Sequence, residues 1–119
     1  MSAAPVNRPP VVDLVVAATG PVAADGAKQF NASAREYRLW KVQASQALDN
    51  PPDIAIGTRD IWHPTEWVDS TTVRVLLAGP QASSQEGAVA VVPGGHRTWL
   101  RATKGSVEIV RPTSQLRVV

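Results

Sequence analysis

Proline and glycine interrupt this chain so often that long helices have no room to form. Ten prolines and eight glycines are distributed through 119 residues. Proline removes a backbone donor and fixes φ, and glycine is the residue that tight turns favour. A chain divided in this way is expected to fold into short elements joined by turns, around one hydrophobic core. We therefore predict an all-β domain.

The strand pattern is clearest from Trp62 to the C-terminus. Val73, Val75 and Leu77 alternate with other residues and so share one face of a strand. Turn signals at Pro93-Gly94-Gly95 and Lys104-Gly105 predict two hairpins, and residues 112–114 predict a break before a last strand. The predicted strands of this half are 71–77, 88–92, 97–103, 106–111 and 115–119. Their spacing is typical of a single small β-sandwich or barrel, which for the whole chain means about 7–8 short strands.

The N-terminal half is harder to interpret. Residues 11–17 are apolar on both faces and predict a buried strand, and residues 53–57 predict a short one. Residues 33–48 are ambiguous, because Ser33 to Glu36 match a capping box that predicts a short helix, whereas residues 37–42 alternate as a strand does. The alternation places Arg38 on one face with Trp40 and Val42, and we favour a strand over 36–43.

Residues 1–10 contain three prolines and few residues to bury, which predicts an extended N-terminal arm ahead of a single β-domain at 11–119. Such an arm is able to clasp a neighbouring subunit, and Val6, Arg8 and Pro9 are its candidate contact residues. The first residues lack the pattern of a secretion signal, and the apolar stretch after them is too short to cross a bilayer. No membrane partner is predicted.

No motif in the sequence predicts catalysis, a metal site or a cofactor. There is no cysteine, and the two histidines, His63 and His96, fall in different turn regions without zinc-motif spacing. Serine-nucleophile and glycine-rich phosphate motifs are also missing from the sequence. The basic residues are scattered and the net charge is only +2, so a nucleic-acid partner is not expected. The sequence predicts a protein that is not an enzyme.

Tryptophan is unusually frequent, with four residues against one tyrosine and one phenylalanine. Trp62 and Trp67 flank a short segment, and a pair at that spacing is able to form a stacking platform for a sugar. The alternative is that both rings anchor a long loop to the sheet, and we favour it because few polar ligands accompany them. A carbohydrate-binding module that uses Trp62 and Trp67 remains the second functional hypothesis.

The order of these segments resembles a group of small all-β virion proteins from tailed bacteriophages and prophages of actinobacteria and related hosts. The resemblance covers about the second half of the chain and lies in the order and spacing of otherwise generic pieces. It departs from the group at Lys104-Gly105-Ser106, where the hairpin loop is shorter. The segments that carry it are Trp62 to Trp67, Val73 to Pro80, Val92 to Gly95, Thr98 to Ala102, Glu108 to Arg111 and Leu116 to Val119.

The resemblance implies a structural role in a virion, at the capsid, the head-tail connector or neck, or the tail. It implies no catalytic residues. Its expected partners are other virion proteins and copies of itself, and its expected location is the virion, after synthesis in the cytoplasm of the host bacterium. Many weak contacts in a repetitive assembly are able to hold so small a subunit.

Overall fold

The computed structural model describes residues 14–20 and 27–119, and within them the fold is all-β. Two five-stranded sheets form a β-sandwich, which confirms the predicted fold class. One sheet has the order β1-β3-β7-β6, with β8 also paired to β7, and the other has the order β2-β10-β9-β4-β5. The strands are β1 (Leu14–Ala18), β2 (Lys28–Phe30), β3 (Arg35–Ala44), β4 (Asp53–Ile56), β5 (His63–Pro64), β6 (Glu66–Asp69), β7 (Thr72–Ala78), β8 (Val89–Ala90), β9 (Gly94–Lys104) and β10 (Val107–Val118).

Strand β3 resolves the ambiguity between helix and strand. Residues 35–44 are extended, with Arg38, Trp40 and Val42 buried, so the strand prediction is confirmed and the helix alternative is wrong. The apparent capping box is part of a turn, in which Ser33 donates its backbone N–H and its hydroxyl to Asn31 Oδ1 at 2.9 and 2.7 Å. Asparagine favours such side-chain turns, and here the turn leads into a strand.

The core lies between the sheets and receives large side chains from both. Trp40 and Leu77 come from one sheet, and Phe30, Ile54 and Leu100 come from the other, all of them 0–1% exposed. Burial of this apolar surface is the main contribution to the stability of the sandwich.

The C-terminal hairpin matches its prediction except at its expected break. Strands β9 and β10 pair around Gly105, whose φ of 58° suits glycine. Strand β10 continues through residues 112–114 and accommodates them in a bulge between Thr113 and Leu116, so the predicted break is wrong. The buried hydroxyl of Thr98 donates to the carbonyl of Ser114 at 2.6 Å and so satisfies an acceptor that the bulge frees.

One prediction about strand pairing and one about strand burial are wrong. Pro93-Gly94-Gly95 does not close a hairpin, because β8 pairs in parallel with β7 while β9 begins at Gly94 in the other sheet. Residues 91–93 instead cross from one sheet to the other. The first strand is also not buried on both faces, since Val15 is 63% exposed whereas Leu14 is 5% exposed. Val15 lies on the outer face of its sheet, whereas Leu14 points into the core between the two sheets.

The predicted arm at 1–10 lies outside the described residues, and so do its candidate contacts Val6, Arg8 and Pro9. No helix in the described part of the chain is long and apolar enough to span a membrane.

Candidate protein-binding cleft

One backbone edge of strand β7 is only partly paired with neighbouring strands. Strand β6 pairs with the first residues of β7, through Glu66 and Arg74, while β8 pairs with its last two, Leu77 and Ala78. Between these two short strands a notch of about 410 Å³ opens beside Val75 and Leu76. It is lined by Tyr37, His63, Pro64, Thr65, Glu66, Arg74, Val75, Leu76, Gly87, Ala88 and Val89.

The polar wall of the notch is built by side chains from three adjacent strands. Arg74 donates from Nε to Glu66 Oε1 at 2.5 Å, and its guanidinium carbon lies 4.2 Å from the centroid of the Tyr37 ring. Both partners of this ion pair are about half exposed, so water screens it and it adds little to stability. Its main effect is to hold a charged, planar group at the mouth of the notch.

A smaller cavity of about 190 Å³ adjoins the notch. His63 and Val89 line both, and His96 and Val92 line the smaller one. We call the two together the lateral cleft. His96 Nε2 lies 2.7 Å from the carbonyl oxygen of Val92, and because a carbonyl only accepts, the ring donates this bond from Nε2–H.

Strand β8 presents an unpaired backbone edge to the lateral cleft. The N–H of Val91 donates to the carbonyl of Ala78 in β7 at 2.9 Å. Since backbone groups alternate in direction along a strand, the N–H and C=O of Ala90 point away from β7. Ala90 is exposed, and among the described strands β8 has β7 as its only partner. An edge of this kind is able to pair with a strand from another chain.

The loop before β8 is pinned, which fixes the position of this edge. Arg35 Nη1 donates to the carbonyl of Glu86 at 2.6 Å and to that of Ser84 at 3.2 Å. At the start of the loop, Gln85 Nε2 donates to the carbonyl of Gly79 at 3.0 Å. The edge is therefore presented in a defined place, which lowers the entropy cost of pairing with it.

The cleft brings together two histidines that the sequence placed in separate turns. His63 belongs to β5 and His96 to β9, and both line the smaller cavity. Within residues 14–20 and 27–119, no three side chains of His, Asp or Glu are grouped as metal ligands. The chemistry present in the cleft is a hydrogen-bonding backbone edge beside apolar, aromatic and charged side chains, which suits recognition of a polypeptide.

The structure gives the two candidate tryptophans different surroundings. The guanidinium carbon of Arg101 lies 4.5 Å from the centroid of the Trp62 ring, and Arg101 is itself paired with Asp53 at 2.9 Å. Trp67 belongs to β6, in the sheet that does not contain Arg101, and lines a groove in which Trp62 takes no part. A platform that uses both rings at once therefore has no support from their contacts.

The turn after β6 is stabilised by a side chain. Asp69 Oδ1 accepts a hydrogen bond from the backbone N–H of Thr71 at 2.8 Å. This bond, together with one from the Thr72 side chain, lowers the pKa of the exposed Asp69 carboxyl below its ordinary value.

Sequence reasoning missed the lateral cleft. Its walls include residues of β3, β4, β5, β6, β7, β8 and β9. The cleft depends above all on the parallel pairing of two residues, Val89 and Ala90, with β7. A two-residue strand has no periodicity from which a pairing partner is predictable.

No protein-family model matches the chain, and comparison with curated proteins and with solved structures finds no similar one.

Proposed function

We propose that the protein is a structural component of a tailed-phage virion, which binds other virion proteins by adding one of their strands to the open edge of β8. The observation that carries the proposal is the outward-facing backbone of Ala90 beside the lateral cleft. The binding function is assembly by protein-protein contact, without catalysis, a cofactor or nucleic acid.

The cleft supports recognition of a strand because it offers both parts of such a site. The β8 edge supplies main-chain donors and acceptors, which give affinity without regard to sequence. The notch and the cavity beside it supply pockets for alternate side chains, with Arg74 and Tyr37 at one and His96 at the other. Strand addition uses this combination of backbone pairing and side-chain pockets.

The virion context is supported by the order of strand and turn segments from Trp62 to Val119. The same resemblance leaves three places for the protein, at the capsid, at the head-tail connector or neck, or in the tail. In each of them the partners are other virion proteins and further copies of this chain, which is made in the bacterial cytoplasm before assembly. Repetition compensates for a short edge, since linked contacts raise overall affinity by about 10² to 10⁴ without new interactions.

A pair of variants at one residue tests the edge. Ala90→Pro removes the outward N–H of β8, and proline is tolerated where that N–H faces solvent at a sheet edge. Ala90→Val keeps the N–H and is the matched control. Wild-type or variant protein is supplied during phage growth, particles are purified by density gradient, and the protein in them is quantified by mass spectrometry. Circular dichroism of the purified chains checks that each variant folds.

We expect wild-type protein and Ala90→Val in the particles at constant stoichiometry, and Ala90→Pro to be depleted. Incorporation of folded Ala90→Pro at the wild-type level would refute strand addition at β8. Particles that contain no wild-type protein would refute the virion role itself. Electron microscopy of particles with and without the protein then locates the missing density at the capsid, neck or tail.

A further inference from the structure

A second groove opens at one end of the sandwich and shares no lining residue with the lateral cleft. We call it the Trp67 groove. It has a volume of about 450 Å³ and carries no charged side chain among its lining residues. These are Val42, Gln43, Ala44, Gln46, Ala47, Leu48, Trp67, Ser70 and Thr71.

The Trp67 groove gives access to the end of the core. Trp67 pairs with Val73, which pairs on its other side with Trp40, so the three side chains lie on the same inner face of the sheet. Trp40 and Val73 are buried, but Trp67 is 38% exposed. A large aromatic ring on the core-facing side of a sheet is left partly uncovered, next to amide and hydroxyl groups that suit an uncharged polypeptide.

We propose that residues 8–12 of the same chain, Arg8-Pro9-Pro10-Val11-Val12, dock in the Trp67 groove and cap this end of the sandwich. The occupant follows from where the described chain begins. Leu14 pairs with Ala44, and Ala44 lines the groove. The polypeptide that precedes Leu14 therefore enters the fold at the rim of the groove.

The distance from that point to Trp67 matches the length of the segment. Trp67 lies three strands across the sheet from Leu14, in the order β1-β3-β7-β6, which is about 14 Å at the usual spacing between strands. Four extended residues span about 13–14 Å, so a chain that turns across the end of the sheet brings Pro10 and Pro9 to the Trp67 ring.

The chemistry of the segment also matches the groove. Proline-rich segments are preset in an extended helix that docks against aromatic side chains, and ordering them costs little entropy. Gln43 and Ser70 line the groove and offer donors to the backbone carbonyls of such a segment. Arg8 is the single charged residue in 8–12, and it is the residue of the segment farthest in sequence from Leu14. The short tether gives an effective concentration on the order of millimolar, which favours the chain's own segment over that of a second copy.

The experiment uses the full chain and the four indole N–H signals in its NMR spectrum. Trp67→Phe assigns the Trp67 signal. A Pro9→Gly/Pro10→Gly double variant should then shift that signal and leave those of Trp40 and Trp99 in place. Pro5→Gly is the matched control, because an extended chain places Pro5 about 30 Å from Leu14, beyond the groove. In wild-type protein, nuclear Overhauser contacts should join the Pro9 and Pro10 rings to the Trp67 indole.

Mixed samples of labelled and unlabelled chains identify the occupant. Contacts within one chain at every protein concentration support the proposal. Contacts only between chains would overturn it in favour of exchange with a second copy. A Trp67 signal that keeps its position in the double proline variant would also overturn the proposal. In that case, a shift of the signal when a glycan is added would favour a carbohydrate as the occupant.

Discussion

Substitution of Arg38 by methionine should destabilise the sandwich, because Arg38 connects the two sheets through a buried guanidinium. Its Nη2 donates to the carbonyl of Gln29 at 2.8 Å and to Glu36 Oε1 at 3.1 Å, and its Nη1 donates to the carbonyl of Thr19 at 3.3 Å. Gln29 belongs to β2 of one sheet, and Thr19 follows β1 of the other. The Arg38 side chain is 6% exposed, so water does not replace these donors when they are removed.

The expected loss in free energy of unfolding is about 2–3 kcal/mol. The short, charge-assisted bond to Gln29 contributes about 1.5–3 kcal/mol, and the longer bond to Thr19 contributes about 0.5–1.5 kcal/mol. Glu36 is 53% exposed, so its ion pair adds less than about 1 kcal/mol. Methionine keeps the length of the stem and avoids the desolvation of a charge, which offsets part of the sum.

Urea unfolding, monitored by tryptophan fluorescence, measures this loss in the free energy of unfolding. Two further variants show where the loss comes from. Arg38→Lys keeps the charge but not the planar fork, and should lose about 1–2 kcal/mol. Glu36→Gln removes only the exposed partner and should lose less than about 1 kcal/mol. If Arg38→Met is as stable as wild type, or if Glu36→Gln costs as much as Arg38→Met, the contacts of Arg38 with the carbonyls of Gln29 and Thr19 do not hold the two sheets together.

Three other changes test separate parts of the fold. A Cβ at Gly79 would lie 2.1 Å from a backbone oxygen, so Gly79→Ala should lower the free energy of unfolding by about 1–3 kcal/mol. A Cβ at Gly95 meets open space, so Gly95→Ala should change it by no more than about 0.5 kcal/mol. Equal urea midpoints for the two variants would contradict this. Thr98→Val leaves the Ser114 carbonyl in the β10 bulge unpaired and should lower the free energy of unfolding by about 1–3 kcal/mol, measured by thermal unfolding. Thr98→Ser keeps the hydroxyl, and if it is equally unstable, the hydrogen bond is not the cause. The lowered pKa of Asp69 means that its contribution is complete above about pH 4 and is lost as pH falls through that depressed value. Asp69→Ala should therefore flatten the dependence of the urea midpoint on pH in acid, and an unchanged slope would count against this role.

Periodicity predicted those strands whose two faces differ. In β3 the alternation placed Arg38 with Trp40 and Val42, and all three are buried. In β7 it placed Val73, Val75 and Leu77 together, and each of them faces the core. A local pattern is sufficient here because one face meets the core and the other does not.

Pairing partners were not predictable, because they depend on residues far apart in sequence. Val89 and Ala90 are equally suited to a hairpin with the next strand or to a parallel pair with β7. Which of these two pairings forms decides whether Pro93 leads into a turn or into a crossover between the sheets. The prediction that the first strand is buried on both faces was wrong because its apolar composition does not reveal that only one face of the sheet meets the core, and Val15 lies on the other face. The partners of Arg38 were also hidden, because two of them are backbone carbonyls outside its own strand.

The edges that border the lateral cleft are not equally open, which bears on how a partner would bind. Pro64 removes a donor from β5, and Val68 forms a bulge in β6 between Glu66 and Asp69, whose charges oppose edge-to-edge pairing. Strand β8 has neither a proline nor a charge, and what limits pairing at its edge is its length of two residues. Few backbone hydrogen bonds form on so short an edge, each with a net contribution of about 0.5–1.5 kcal/mol. Under the proposed function a single pairing is therefore weak, and we expect stable association only where many copies bind at once, as in a repetitive particle.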